Sequence, residues 1–403
     1  MNRKNITGIR VALDEALSAY ENNHQVIFES ESARLKGLYQ SLAKSTKKWR
    51  TPKLCAFQGC KEKSIARSHT IQKSGPLAFI SEDQHVLHPG LGMEGKMQMQ
   101  RVGLNNASVF PGFCKKHESL FEVFEQRKAL ITSRDVILQT FRVVVRELVR
   151  VNLEIEHLKY LKDNFSKTRD EYITNKIKAV AGQKVSVSGV NVLGDAMLEM
   201  LELHVSQKEK TASEIHNGIY AELLDSINTN STLVSLIHIE SPDLLPVCLS
   251  GIGVFHVRKE DGTKVSANIF LCILPGPTGS EIILATQNSD NSLLQQYVGS
   301  CLNGRLALLR AIESWMLNQT DHWFMTPSEW DKLPKNRQSE LLHLMANDHT
   351  SLGYECSISL LDSARLKIIE LCENSEEFRN SGKAGVDEIE REWARLTGVN
   401  RGH

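Results

Sequence analysis

Three cysteines and a histidine within one irregular segment of the chain are of the residue types that bind zinc. Cys55 and Cys60 frame a short knuckle, and Cys114 and His117 follow later as a Cys-x-x-His pair. Thiolate and imidazole are the ligands that zinc prefers, and four of them close a tetrahedral structural site. We therefore predict a structural zinc ion held by these four residues, with His69 in place of His117 as the alternative.

Basic residues are concentrated around these ligands although the whole chain is neutral. The chain has 48 Lys and Arg against 48 Asp and Glu and a pI of about 7.2, which excludes a globally basic nucleic-acid coat and a disordered acidic tail. A local positive surface suits a partner that carries phosphates, so we predict a nucleic-acid partner. The predicted phosphate contacts are Lys61, Lys63, Arg67, Lys73, Lys115 and Lys116.

The motifs of this segment resemble a known zinc module. The knuckle, the stretch Ser-His-Thr-Ile-Gln-Lys-Ser at 68–74, Glu-Asp-Gln-His-Val at 82–86, and residues 110–121 around the Cys-x-x-His pair are similar to the treble-clef modules of bacterial proteins related to HNH endonucleases. Several such proteins belong to antiphage defence systems. The resemblance covers about residues 50–125 and leaves the rest of the chain unassigned.

The resemblance implies a chemistry for this module. In HNH nucleases a histidine at the end of the first strand deprotonates the attacking water, and His69 matches that position. Asn106, or alternatively Asn105, would orient it, although both lie further from the Cys-x-x-His pair than is usual. Glu118 would bind a catalytic Mg²⁺ or Mn²⁺ ion or cap its helix. Ser68 stands where the family often has an Asp or His ligand.

Other candidate groups are weaker. His85 and His88 are either a second histidine pair for a metal or ordinary exposed loop histidines. The stretch Asp-His-Trp-Phe at 321–324 is interpreted as a packed corner between two helices. The chain has no serine or cysteine in a nucleophile motif, and neither of its glycine-rich stretches has the context of a nucleotide-binding loop.

Helical periodicity dominates the first half of the chain outside the zinc segment. Residues 8–46 have helical spacing, and a long helix begins near Ser133 with apolar residues at alternating intervals of three and four. This heptad seam predicts packing on a second copy of the chain or, equally, a hairpin with a helix at 195–227. Residues 182–194 are interpreted as a loop or small ribbon.

The period changes to that of strands after residue 228. Strands are predicted at 233–239, 247–257, 265–274 and 282–286, with a hairpin turn at Asp261-Gly262, so an antiparallel meander is expected. Helices follow at 292–317, at a capping box formed by Thr326, Pro327 and Glu329, and at 360–372 and 387–396.

Together these patterns predict an α+β chain in four segments: an N-terminal helical region (1–50), a zinc-stapled treble-clef-like module (51–125), a long helical hairpin or coiled coil (126–228) and an antiparallel sheet with flanking helices (229–403). The remaining cysteines are expected to be buried, no run is apolar enough to span a membrane, and a cytoplasmic location is expected. The predicted function is nucleic-acid binding with metal-assisted cleavage, and the alternative is a non-catalytic scaffold that binds proteins through its α+β domain.

Overall fold

Helices and an antiparallel sheet build the chain, which confirms the α+β class. The computed structural model describes residues 3–30, 47–92, 96–181, 192, 194–302, 304–346, 352, 358–373, 387, 389–394 and 396. Most of the second half of the predicted 8–46 helix and nearly all of the predicted 182–194 ribbon lie outside these residues. The chain divides into one unit of Met1–Thr51 with Leu148–Glu214 and a second unit of Pro52–Glu147 with Ile215–His403. The division into four sequence segments remains a prediction.

Nine strands belong to the second unit, among the residues that the structure describes. They are β1 (Ser68–His69), β2 (His85–Leu91), β3 (Met97–Gly103), β4 (Val109–Phe110), β5 (Ser235–Ser241), β6 (Val247–Arg258), β7 (Lys264–Gly276), β8 (Gly279–Thr286) and β9 (Trp323–Met325). Strands β1 and β4 pair as a small ribbon. The other seven form one antiparallel sheet in the order β3-β2-β9-β6-β7-β8-β5.

The turn chemistry of the sheet follows the sequence. Asp261 Oδ1 accepts a hydrogen bond from Thr263 N–H at 2.8 Å, and Gly262 takes φ +83°, so the predicted Asp-Gly turn joins β6 to β7. The next turn needs Gly279, because its φ is +152° and a Cβ there would lie 2.0 Å from the carbonyl oxygen of Ser241.

The strand order differs from the predicted meander at β5. Strands β6, β7 and β8 are consecutive neighbours, but β5 pairs with β8. The connection from β5 to β6 is held beside β8, since Ser280 Oγ donates to Asp243 O at 2.8 Å and accepts from Leu245 N–H at 3.0 Å. The hairpin of β2 and β3, from the zinc segment, was also not predicted to join this sheet.

The described residues include the helices α1 (Arg3–Asn22), α2 (Lys115–Glu118), α3 (Glu122–Arg127), α4 (Ser133–Ala181), α5 (Ala196–Ile215), α6 (Ala221–Thr229), α7 (Asn291–Cys301), α8 (Arg305–Asn318), α9 (Pro327–Asp331), α10 (Lys335–Ala346) and α11 (Asp362–Glu373). The predicted helix at 292–317 is interrupted, because Gly304 takes φ +104° before α8. The buried core of the second unit joins apolar side chains of the sheet to α7, α8, α10 and α11, with Trp315 and Trp323 fully buried.

Two local predictions around Thr326 are wrong. Residues 323–325 form strand β9 between β2 and β6, where a corner between helices was expected. The capping box is absent because the backbone N–H of Thr326 donates to Pro246 O at 3.0 Å and its hydroxyl points to the same oxygen, while Glu329 pairs with Lys332 at 2.7 Å. Thr326 still precedes α9 as its N-cap residue, with Pro327 at the start of the helix as predicted, and its carbonyl accepts from Glu329 N–H at 3.1 Å.

The first unit is built from α1, the later part of α4 and α5. The predicted long helix is confirmed as α4, with 49 residues beginning at Ser133. Ion pairs join its later part to α5, at 2.8 Å between Lys208 and Glu154 and 2.6 Å between Lys159 and Glu209. The helical-hairpin alternative is therefore observed, and self-association through these helices remains a prediction. Among the described helices, none is both long and apolar enough to cross a membrane.

A buried ion network joins the C-terminal helices of the second unit. Arg365 on α11, Glu313 on α8 and Glu392 in the helical residues 389–394 are all completely buried, and the guanidinium of Arg365 binds both carboxylates. Glu313 Oε1 also accepts the backbone N–H groups of Leu360 and Leu361 at 2.8 and 2.9 Å, just before α11 begins. The network therefore fixes where this helix starts.

We expect Arg365→Met to lower the free energy of unfolding by about 3–5 kcal/mol, because it removes from two buried carboxylates a counter-charge that they share. Urea denaturation followed by circular dichroism measures the change. Lys367→Met is the matched control, since Lys367 is exposed on the same helix and its loss should change stability by less than about 0.5 kcal/mol. Equal effects of the two substitutions would contradict a role for the buried network.

Candidate metal centre

The first two zinc-type ligands lie on a tight knuckle. Cys55 N–H donates to Glu62 O at 2.8 Å, and Cys60 N–H donates to Phe57 O at 3.0 Å, which closes the turn between the two cysteines. Gly59 takes φ +79° just before Cys60, a conformation that glycine adopts without strain. The two thiols are thereby directed to the same side of the loop.

The second pair of ligands is carried by the short helix α2. Cys114 immediately precedes the helix, and its carbonyl accepts a hydrogen bond from Glu118 N–H at 2.8 Å. His117 lies one turn further on, so its imidazole returns to the Cys114 side chain. The ring of Phe57 stacks on that imidazole with 4.1 Å between centroids and fixes its orientation.

The four ligand atoms have the spacing of a tetrahedral metal site. They lie within 4.8 Å of one another, with 3.8 Å between the sulfurs of Cys60 and Cys114 and 3.3 Å from His117 Nδ1 to the sulfurs of both Cys55 and Cys114. A tetrahedron with zinc bond lengths would place two sulfurs about 3.8 Å apart and a sulfur and nitrogen about 3.6 Å apart. The cluster therefore fits a zinc ion, and it is the one group of three or more such side chains in the described residues.

The protonation of His117 and Cys114 also favours metal binding, whereas burial raises the pKa of the Cys55 thiol to about 11. Desolvation and the neighbouring Lys116 lower the pKa of His117, which keeps the imidazole in its neutral, ligating form. Desolvation raises the pKa of Cys114, but N–H groups of His117 and Lys116 and the adjacent thiols outweigh it and lower that pKa below its ordinary value. A thiolate is therefore accessible within the cluster.

Tyr220 supports the knuckle and was not found by sequence reasoning. Its hydroxyl donates to Ala56 O at 2.6 Å and accepts from Gln58 N–H at 3.0 Å. The residue comes 160 positions after Cys60, the last residue of the knuckle, in a kinked segment between α5 and α6, where the backbone of Gly218 departs from helical geometry. In the sequence Tyr220 appears only as one aromatic residue of an amphipathic helix, which does not indicate contact with the knuckle.

His69 lies on the β1–β4 ribbon, outside the metal cluster. Its Nε2 is buried and has no hydrogen-bond partner in the part of the chain that the structure describes. Desolvation, followed by the positive charge of Arg142, lowers its pKa below 6.5. The neighbouring Ser68 is completely buried, and its hydroxyl accepts from Phe113 N–H at 3.2 Å. The predicted general base is therefore a neutral imidazole with a free nitrogen.

Glu118 is held close to the His69 strand by a buried arginine. Arg142 on α4 is completely buried and lies 3.3 Å from Glu118 Oε1 and 2.7 Å from Glu125 Oε1, with its guanidinium 4.1 Å from the centre of the Phe121 ring. Desolvation raises the pKa of Glu118 although Arg142 and a hydrogen bond from Ser68 oppose it. Glu118 Oε2 is buried without a partner among the described residues.

The remaining candidates are dispersed. Asn106 and Asn105 are both exposed in the turn before β4, and Asn105 accepts a hydrogen bond from Lys73. His85 and His88 are three residues apart on β2 and so face opposite sides of the sheet. His85 Nδ1 lies 2.6 Å from Asp83 O, and His88 Nδ1 lies 3.1 Å from Trp323 O, so the two rings have separate surroundings.

Most of the predicted phosphate-binding residues are exposed. Lys61, Lys63, Arg67, Lys115 and Lys116 project into solvent and form no ion pair with a carboxylate of the described residues, and Lys73 is half-buried. Lys61 directly follows one zinc-type ligand, and Lys115 and Lys116 lie between two others.

No protein-family model, curated protein or solved structure matches this chain.

We expect wild-type protein to contain one zinc ion per chain and Cys114→Ser and His117→Ala each to lose it, because three ligands hold the ion too weakly. His69→Ala should keep its zinc, since His69 is outside the cluster. Elemental analysis of the purified proteins measures the content.

Zinc should be released as the pH falls, because protons compete with the metal for thiolate and imidazole.

Cys248→Ala is the control for loss of a buried thiol that does not belong to the cluster, and it should retain zinc. Full zinc content in Cys114→Ser would show that the cluster is not the site.

Proposed function

We propose that the zinc-bound segment at about 51–125 binds nucleic acid and cleaves it with His69 as general base. The observation that carries the proposal is the contrast between the positive charge of the exposed side chains and the uncharged imidazole of His69. Among the described residues, exposed lysines and an arginine without acidic partners lie close in sequence to the metal ligands, while the pKa of His69 is lowered and its buried Nε2 has no partner. A defence role against phage follows from the HNH resemblance alone and belongs to the same proposal.

The free cations support binding to phosphates. Elsewhere exposed lysines such as Lys159 and Lys208 are neutralised by nearby glutamates, so their charge is largely cancelled locally. Lys61, Lys63 and Arg67 have no such partner among the described residues and keep their full charge. Such cations would displace the counterions of a nucleic acid, which is the main source of affinity in sequence-independent binding.

The state of His69 supports hydrolysis. A general base must be unprotonated at the working pH, and desolvation together with Arg142 lowers its pKa in that direction. Glu118 Oε2 and His69 Nε2 are the two buried, unpartnered atoms that would hold a Mg²⁺ or Mn²⁺ ion, among the described residues. Such an ion would neutralise charge on the phosphate oxygens and the leaving oxygen.

A specific observation favours the alternative, a non-catalytic zinc-stapled scaffold. Arg142 pairs with both Glu118 and Glu125, so its single positive charge offsets part of the negative charge that would attract a divalent cation. Ser68, where the family often has a metal ligand, is buried and used to bind the backbone of Phe113. In that case the module would bind partners without cutting nucleic acid, and the α+β half would recognise another protein.

We expect the triple substitution Lys61→Gln, Lys63→Gln and Arg67→Gln to weaken binding to a labelled DNA duplex. The slope of log K against log salt concentration should fall in magnitude by about 3, because each lost phosphate contact removes about 0.9 from it. Fluorescence anisotropy over a range of salt concentrations measures the slope, and a single-stranded RNA of equal length distinguishes the two types of nucleic acid.

The matched control replaces Lys159, Lys208 and Lys210 with Gln, since these three lysines pair with glutamates. The control should leave the slope unchanged. Equal slopes for wild type and the Lys61, Lys63 and Arg67 variant would contradict the proposed contacts, provided that both proteins retain zinc.

We expect wild-type protein to cleave plasmid DNA or RNA with Mg²⁺ or Mn²⁺ and His69→Ala to be about 10²–10⁴-fold slower, the range for loss of a general base. His85→Ala is the control, because this half-buried histidine lies on β2. Activity should persist as the pH falls to 6.5 and be lost only below it, since the lowered pKa keeps His69 neutral there.

Cleavage by His69→Ala at the wild-type rate would exclude His69 as the base. Zinc-loaded wild type that binds nucleic acid without cutting it would favour the scaffold.

A further inference from the structure

A cavity of about 360 Å³ lies in the second unit, where the residues after His69 approach the turn between β7 and β8. Its walls include the aromatic ring of Phe124 and several prolines, and its polar lining includes Gln72, Gln139, Glu240 and Glu281. This volume is within the range of small-molecule sites in proteins. No step in the proposed nuclease chemistry uses these four side chains.

Two buried glutamines line the cavity, and Oε1 of Gln72 packs against Gly75. Gln139 is 1% exposed, and its Nε2 donates to Thr70 O at 3.0 Å. Gln72 is 7% exposed, and its Nε2 donates to Glu125 O. Because a backbone oxygen can only accept, these bonds fix the amide orientations and leave both Oε1 atoms without a donor among the described residues.

The two glutamates add negative charge at the same place. Glu240 and Glu281 are directly opposite one another on β5 and β8, so their side chains share one face of the sheet. Like charges in this arrangement repel each other unless a cation is nearby. His238 Nε2 lies 2.7 Å from Glu281 Oε2, but the other oxygen of Glu281 receives only a long hydrogen bond, 3.4 Å from Leu130 N–H.

We propose that this cavity binds a small organic cation that carries a guanidinium group. A guanidinium offers five N–H donors in one plane, which can serve the amide oxygen of Gln139 and a carboxylate together. Its charge would offset the Glu240 and Glu281 pair, and an attached alkyl chain would contact Phe124 and the prolines. The volume greatly exceeds that of a bare metal ion. Lys128, exposed at the rim, would attract a carboxylate at the other end of the ligand.

Isothermal titration of the full chain with methylguanidine and with methylurea tests the proposal, because the two probes have nearly the same shape and differ in charge. Methylguanidine should bind and methylurea should not. Agmatine, free L-arginine and arginine blocked at both ends then separate a free metabolite from the side chain of a protein: tighter binding of L-arginine or agmatine than of the blocked form indicates a metabolite.

Glu281→Gln and Glu240→Gln should each weaken methylguanidine binding at least tenfold, and Glu260→Gln, an exposed carboxylate in the β6–β7 turn, should not change it. Glu240 is itself exposed, so Glu240→Gln remains informative if Glu281→Gln fails to fold. Absence of binding by every guanidinium probe, equal binding of methylurea, or affinity unchanged in both cavity variants would overturn the proposal. None of these readouts depends on nucleic-acid cleavage.

Discussion

The spacing of four ligand atoms is the constraint on which the zinc segment depends. Thiols of Cys55, Cys60 and Cys114 and the imidazole of His117 lie within 4.8 Å of one another. Bringing thiolates this close in a partly buried place is favourable only with a cation among them, because their charges otherwise repel. The rest of the segment consists of short strands, turns and short helices, and a metal ion in the cluster would reinforce the buried aromatic contacts of Phe110, Phe113 and Phe121. The positions of His69 and the basic side chains depend on this cluster of four ligands.

Arg142 is the second constraint, and it connects the zinc segment to the long helix α4. A completely buried guanidinium is stable only when its charge is met, and Glu118, Glu125 and the Phe121 ring meet it. One turn earlier on α4, Gln139 donates to Thr70 O, directly after His69. The first turns of α4 therefore hold both sides of the candidate catalytic strand, although the two segments are distant in sequence.

Local patterns in the sequence predicted elements better than they predicted partners. Strands β5 to β8 and helix α4 were predicted because period-two and heptad spacing are local properties. The membership of β2, β3 and β9 in the same sheet was missed, since pairing between segments more than 200 residues apart leaves no mark on local periodicity. The Thr326 capping box failed for the same reason, because Pro246, remote in sequence, takes the hydrogen bonds of Thr326.

The same distinction decides what was predictable at the site. The cluster of metal-type ligands was predicted because its residue types and spacing carry the chemistry, whereas Arg142 and Tyr220 gave no signal as isolated residues on helices. Arg142 also explains why the surroundings of His69 both favour and oppose a catalytic role. Its charge lowers the pKa of His69, as a general base requires, and it simultaneously offsets the carboxylate of Glu118 that a catalytic metal would need. A phosphate group bound near Lys73 would ease this conflict, because its negative charge would add to the attraction for a divalent ion. On the proposed function, the catalytic metal would therefore bind together with the nucleic acid.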